Sequence, residues 1–259
     1  MNDAADRARS LYHHGATRGL VPPGEGEALV ARLLKVLDEG LLVAPAHPLE
    51  ATGEVTTTHV LNLAVLSMGL ARHLAFAEEE VMTLGLAALL HDVGRASPVN
   101  SPSPGAWRDS EAHRRRIHGH PSRGARILLD SGSAFAMAAI VAYEHHIGWQ
   151  GTGGYPRLRF TRSPHLFSRI VSVCDVYDVL RTERPFRPAL SLEAARRRLR
   201  TLAGTTIDPE IVIGLDGFLD TPHAWIRPPS SRGETELSDV CRLDGAGFDP
   251  DFESHPATS

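Results

Sequence analysis

Histidine and aspartate standing together inside apolar helical pattern constrain this chain more than any other feature. Ala87-Ala88-Leu89-Leu90 runs straight into His91-Asp92, and a second apolar stretch ends in His145-His146. Burying an ionised carboxylate in such surroundings is costly unless a strong partner neutralises it. The natural partner for a His/Asp set is a divalent metal ion.

Apolar periodicity supplies the frame around these clusters. Leu29, Val30, Leu33, Leu34 and Leu37 recur with helical period, with Gly40 as the stop. His59, Leu63, Leu66 and Leu70 share one face of the next helix, and Val81, Leu84, Ala88 and His91 one face of the helix after it. Further helices fit 109–118, 122–131, 134–146, 164–181, 191–203 and 208–219. The last is opened by Asp208-Pro209, a cap followed by a proline at the first helical position. Ala44-Pro45-Ala46-His47-Pro48 reads as a turn or short linker and 98–105 as a loop. Strand alternation is nowhere sustained. The expectation is an all-α chain in three parts. Residues 1–50 are a lead-in, loose over 1–24 with at most one short helix, followed by one helix; 51–222 form one helical domain; 223–259, rich in Pro, Ser, Gly and Asp, form a flexible tail.

On this map the polar residues at apolar positions come from five helices: His59, His91-Asp92, His120 before Pro121, His145-His146, and Asp175 within Ile170-Val171-Ser172-Val173-Cys174-Asp175-Val176. Helical bundles build metal sites by converging such side chains in the core. Seven ligands exceed the needs of one ion, and with Asp92 bridging two ions become natural. One takes His59, His91, Asp92 and Asp175; the other takes Asp92, His120, His145 and His146. Each keeps open positions for water and substrate, as a catalytic site requires. Two ions a few ångströms apart suit phosphoester hydrolysis. A histidine-rich, carboxylate-bridged site accepts iron or manganese as readily as zinc.

Composition narrows the partners. A net charge of -4 argues against a nucleic-acid polymer. The longest apolar runs, such as Leu84 to Leu90, are far too short to span a bilayer. Met1 is followed by a polar stretch unlike a secretory signal, and Cys174 and Cys241 form neither a zinc spacing nor a disulfide framework, so a reducing cytoplasm is expected.

The order His59, His91-Asp92-Val93-Gly94-Arg95, His120-Pro121 with Gly124, His145-His146, Gly154-Tyr155-Pro156, Asp175 with Asp178, and Arg184-Pro185-Phe186 resembles the HD-GYP branch of the HD phosphohydrolase superfamily over roughly residues 52–220. The resemblance implies an HD-type helical bundle with a binuclear metal site in its core. It also implies hydrolysis of a cyclic dinucleotide, cyclic di-GMP first, in bacterial second-messenger signalling, with two divalent ions and iron or manganese expected ahead of zinc. Asp92 then bridges the ions and Arg95 steadies a phosphate. Arg184 and Arg187 either grip the substrate's phosphates or form a solvated basic segment. The Gly151–Pro156 loop is either a lid, with Tyr155 contacting the substrate, or a contact for a partner such as a diguanylate cyclase. Asp178 either supports the site from behind a ligand or belongs to a polar face. His118 is set aside in favour of His120.

This chain departs from the family pattern in the shell around the ligands. Arg95 stands where the family has lysine, Ile147 where it has glutamate after the histidine pair, and Gln150 where it has aspartate. The glutamate of trimetal members corresponds to Val55, with Glu54 one step off, so two ions are expected rather than three. Because these changes spare the ligands and touch the substrate shell, an alternative stands beside the enzyme: a catalytically weak or inactive module that binds a nucleotide or a protein.

Overall fold

The computed structural model describes residues 2–38, 57–96, 111–183 and 188–221. Nine α-helices carry the described residues: α1 (Asn2–Arg18), α2 (Glu25–Asp38), α3 (Thr57–His73), α4 (Glu78–Leu90), α5 (Glu111–Ser131), α6 (Ala136–Glu144), α7 (Leu166–Arg181), α8 (Leu192–Leu202) and α9 (Pro209–Asp220). Single 3-10 turns cover Val93–Arg95 and Ser133–Phe135. Pairing between extended segments is limited, among the described residues, to isolated bridges such as Ile147 with Gly154. The fold is all-α, as the periodicity requires.

The centre of the bundle is the α3–α4 pair. Nearly every residue from Val60 to Ala71 is buried, and so is every residue from Leu84 to Leu90. A helix apolar on all sides must sit inside the protein. Around this pair pack α2 and α6 on α4, α7 and α9 on α3, and α5 on α6. Charges and caps set the helix starts. Glu78, Glu79 and Glu80 fill the first turn of α4, where carboxylates favour the positive end of the helix dipole. The Asp208 carboxylate accepts from the Glu210 amide at 2.9 Å, with Pro209 opening α9.

Two elements differ from the sequence reading. Residues 2–18 form a full helix rather than a loose lead-in. Its inner face is Ala8, Leu11 and Gly15, all buried, at helical spacing but too small to register as a hydrophobic stripe. Tyr12 of this helix donates to the Leu89 carbonyl at 3.0 Å, which ties α1 to the end of α4. Second, α5 runs unbroken through Pro121, where two helices separated by a break were expected. The linker at 44–48, Gly40, the loop 98–105, Glu54 and Val55, Arg184 and Arg187, and the tail 223–259 lie outside the described residues, as do the boundaries placed at 50/51 and 222/223. No helix among the described residues is long and apolar enough to cross a membrane.

Candidate metal centre

All seven predicted ligands lie at the inner ends or inner faces of helices. His59 is in the first turn of α3, His91 caps the C-terminus of α4, and Asp92 begins the following 3-10 turn. His120 lies within α5, His145 caps α6 with His146 next to it, and Asp175 lies on α7. The structure gathers them into two groups whose donor atoms lie within 4.8 Å of one another: Asp92, His120, His145 and His146, and then His59, His91 and Asp175. The Asp92 carboxylate stands between them. Its Oδ1 is 3.0 Å from His120 Nε2 and 3.6 Å from His145 Nε2, while its Oδ2 is 3.4 Å from His91 Nε2. In the other group His59 Nε2 is 3.3 Å from Asp175 Oδ1.

The backbone orients three of the rings and a side-chain carboxylate a fourth. His91 Nδ1 lies 2.8 Å from the Ala88 carbonyl, and His145 Nδ1 lies 3.0 Å from that of Ala142. These are orphan carbonyls of helix C-termini, which need donors. His120 Nδ1 takes the Ile117 carbonyl at 2.6 Å. His59 Nδ1 takes Asp178 Oδ2 at 2.7 Å, and Asn62 also reaches that carboxylate. With Nδ1 donating in each ring, the neutral imidazole carries its lone pair at Nε2, the form in which histidine binds a metal. Asp178 therefore orients the His59 ring rather than merely belonging to a polar face.

Two close approaches hold the elements in register. A Cβ on Gly94 would stand 2.1 Å from the His120 carbonyl oxygen, so only glycine lets the turn after Asp92 lie against α5. Gly154, at φ +65°, permits the turn in which the Tyr155 amide donates to the His146 carbonyl at 3.1 Å. Tyr155 is thereby buried, its ring tilted over His146 at 4.6 Å and stacked on His118 at 4.3 Å. His118, set aside from the sequence, thus holds the ring that covers His146. Glu144, buried beside the histidine pair, accepts from the His165 amide and the Ser168 hydroxyl and pairs with Arg162 at 2.5 Å, which anchors the loop to the end of α6. Partners of these kinds carry no sequence signal, because they meet only through the tertiary fold. Ile147 is buried and Gln150 is exposed.

Arg95 turns inward. Its Nε donates to Asp92 Oδ1 at 2.7 Å, and its terminal nitrogen lies 3.2 Å from His146 Nε2. Burial alone would raise the Asp92 pKa, but the Arg95 charge first, and then the His91 and His120 rings beside it, hold the carboxyl well below the usual carboxylate range. Burial, followed by the Arg95 charge, pushes His120 down to about 3. Burial first, then neighbouring histidines, also lowers His146. His145 is lowered chiefly by burial. At neutral pH the second group is thus neutral imidazoles around an ionised carboxylate.

This donor set fits a divalent cation. His91 Nε2 is buried and makes no hydrogen bond. His120 Nε2 and His145 Nε2 face each other at 3.3 Å, each with its proton committed at Nδ1. Imidazole nitrogens and a carboxylate oxygen turned toward one point are what such an ion requires.

Known proteins resemble this chain. Residues 56–180 match the HD domain family, and through this segment the chain belongs to it. A cyclic di-GMP phosphodiesterase of Pseudomonas aeruginosa is 34% identical over 166 residues, which cover 63% of this chain and 39% of that protein. A 3'3'-cGAMP-specific phosphodiesterase of Vibrio cholerae is 31% identical over 198 residues, which cover 76% of this chain and 43% of that protein. The chain therefore spans about two fifths of the length of these relatives. A solved HDG"Y"P protein from Bdellovibrio bacteriovorus shares the fold, with a TM-score of 0.61 and 18% identity, covering 84% of this chain and 69% of that one.

Proposed function

We propose that this member of the HD domain family is a metal-dependent phosphodiesterase of the HD-GYP kind that opens a cyclic dinucleotide, cyclic di-GMP first, in the cytoplasm. The observation that carries the reading is the split of the Asp92 carboxylate, one oxygen toward His120 and His145 and the other toward His91. A carboxylate so placed would serve two ions at once. His59, His91 and Asp175 would hold one ion and His120, His145 and His146 the other, with Asp92 shared. Two divalent ions, iron or manganese ahead of zinc, would supply Lewis acidity to phosphoryl oxygens and acidify a water molecule at neutral pH. The chain's own residues do the rest. Backbone-bonded Nδ1 atoms keep His91, His120 and His145 aimed, and Asp178 does the same for His59. Arg95 would grip a phosphate, and so would Arg184 and Arg187 outside the described residues. Tyr155, packed on His146, would bound the nucleotide.

The names of the relatives support a cyclic dinucleotide as substrate, with cyclic GMP-AMP as the second candidate. Anaerobic purification, metal analysis and a cyclic di-GMP turnover assay with iron or manganese test the reading. Asp92→Ala should abolish turnover and strip metal; retained turnover in that variant overturns the mechanism.

The inward turn of Arg95 favours a second reading, a nucleotide-binding or protein-interaction module with little turnover, since an arginine held by Asp92 and His146 is withdrawn from substrate. A large gain in turnover in Arg95→Lys identifies a hampered enzyme. In the module, a cyclase or other signalling partner would meet the exposed part of the loop around Phe160 rather than the buried Tyr155.

A further inference from the structure

We infer that Arg95 is a built-in competitor for one of the two cation positions, so that the chain loads its ions in order: the His59, His91 and Asp175 position first, and the Asp92, His120, His145 and His146 position second. The inference rests on reading this site as a metal centre.

The two groups differ in how their donor atoms are engaged. In the first, His91 Nε2 is buried with its lone pair unused, and His59 Nε2 faces Asp175 Oδ1 at 3.3 Å, a contact between two donor atoms and not with a permanent cation. In the second, two of the four donor atoms already face a cation. Asp92 Oδ1 accepts from Arg95 Nε at 2.7 Å, and His146 Nε2 lies 3.2 Å from the terminal nitrogen of the same guanidinium. The planar fork of arginine matches this pair of acceptors, and a lysine ammonium would not span them in the same way. A guanidinium also cannot leave by losing its proton in a protein. An ion entering the second position must therefore break both contacts and displace a permanent charge from a carboxylate.

The Arg95 side chain keeps an exit, being 22% exposed while Asp92 beside it is 6% exposed. Once displaced it remains next to the site as a free bidentate donor for a phosphate. Loading of the second ion and release of the phosphate-binding group would thus be one event.

The experiment is titration of metal-free protein with manganese(II) by calorimetry, with metal content per chain measured at each plateau. Wild type, Arg95→Met and Arg95→Lys are compared. Wild type should bind in two steps, the second weaker. Arg95→Met should strengthen the second step by about ten- to hundredfold, the worth of the charged hydrogen bonds it removes. The first step, whose ion would share Asp92 only through the oxygen that Arg95 does not touch, should change less than the second and serves as the internal measure of folding. Arg95→Lys should fall between the two. Two equal steps in wild type, or a second step unchanged or weakened in Arg95→Met beside an intact first step, overturns the inference. Should Arg95→Met fail to fold, Arg95→Lys decides, and a second step equal to that of wild type overturns the inference. Absence of manganese binding in every form overturns the metal-centre reading itself, and the inference with it.

Discussion

His120 Nδ1 lies 2.6 Å from the carbonyl oxygen of Ile117, the oxygen that the amide of residue 121 would take in an uninterrupted helix. Residue 121 is proline and has no amide hydrogen to give. The proline therefore does not end α5; it frees a carbonyl that the neighbouring imidazole uses to point Nε2 at Asp92, 3.0 Å away. His-Pro in this helix is a device for orienting the His120 ring.

Pro121→Ala separates the two effects. The restored amide competes for the Ile117 carbonyl and removes the proline from the helix interior. Stability in urea should rise by about 1 kcal/mol or more, part of the roughly 3 kcal/mol that an interior proline costs. Manganese affinity at the His120 position should fall by about tenfold, as for loss of other groups that orient ligands. A rise in both quantities would show that the carbonyl does not orient the ring.

Asp178 makes the same kind of contact with His59, at 2.7 Å. Asp178→Ala should weaken manganese binding at the His59, His91 and Asp175 position by about 10- to 100-fold. Asp178→Asn should weaken it less, because its amide oxygen still accepts from Nδ1. Equal affinity in wild type and Asp178→Ala, measured by titration, would place the carboxylate outside the site's support.

What was legible from the residues follows what each signal depends on. Leu63, Leu66 and Leu70, or Leu84 and Ala88, mark buried helices through size and spacing alone. The His and Asp residues that gather at the centre were legible because such side chains at apolar positions have few other uses. Helix α1 was not, since Ala8 and Gly15 bury too little surface to stand out. The continuity of α5 was not, since proline usually ends a helix. The bonds to Ala88, Ile117 and Ala142 carbonyls were not, because every residue carries a carbonyl. The inward course of Arg95 was not, because a long flexible side chain can reach either solvent or its own site.

Metal-free protein should be most stable near pH 6.5. Unfolded histidine titrates at about 6.5. His120, pushed down to about 3 by burial and Arg95, refuses a proton that the unfolded chain accepts, and burial lowers His145 and His146 in the same direction. Stability is lost as pH falls from about 6.5 toward those values, by up to about 1.4 kcal/mol per pH unit for each ring. His59 runs the other way. Burial opposes its charge, but the Asp178 bond and charge prevail and raise its pKa. Its contribution is complete below about 6.5 and is lost as pH rises through the raised value. Urea midpoints of chelator-treated protein between pH 4 and 8 should trace this maximum. A flat profile from pH 6.5 to 4.5 would show that the three rings do not stay neutral.

Gly94 and Gly124 face each other where the turn after Asp92 meets α5, and they should respond differently to one methyl group. A Cβ on Gly94 would lie 2.1 Å from the His120 carbonyl oxygen and 2.4 Å from the Gly124 nitrogen, both backbone atoms that cannot rotate away. A Cβ on Gly124 would lie 3.2 Å from the Gly94 nitrogen and 3.5 Å from Ala142 Cβ, a tight but tolerable fit. Gly94→Ala must push α5 off the turn, so it should cost about 3 kcal/mol, the upper end for overpacking. It should also lower metal content by displacing His120. Gly124→Ala should cost about 1 kcal/mol or less, because alanine also suits a helix better than glycine does. Thermal unfolding and metal analysis of the two variants check this, and equal costs would mean that the turn does not depend on the absence of a side chain at residue 94.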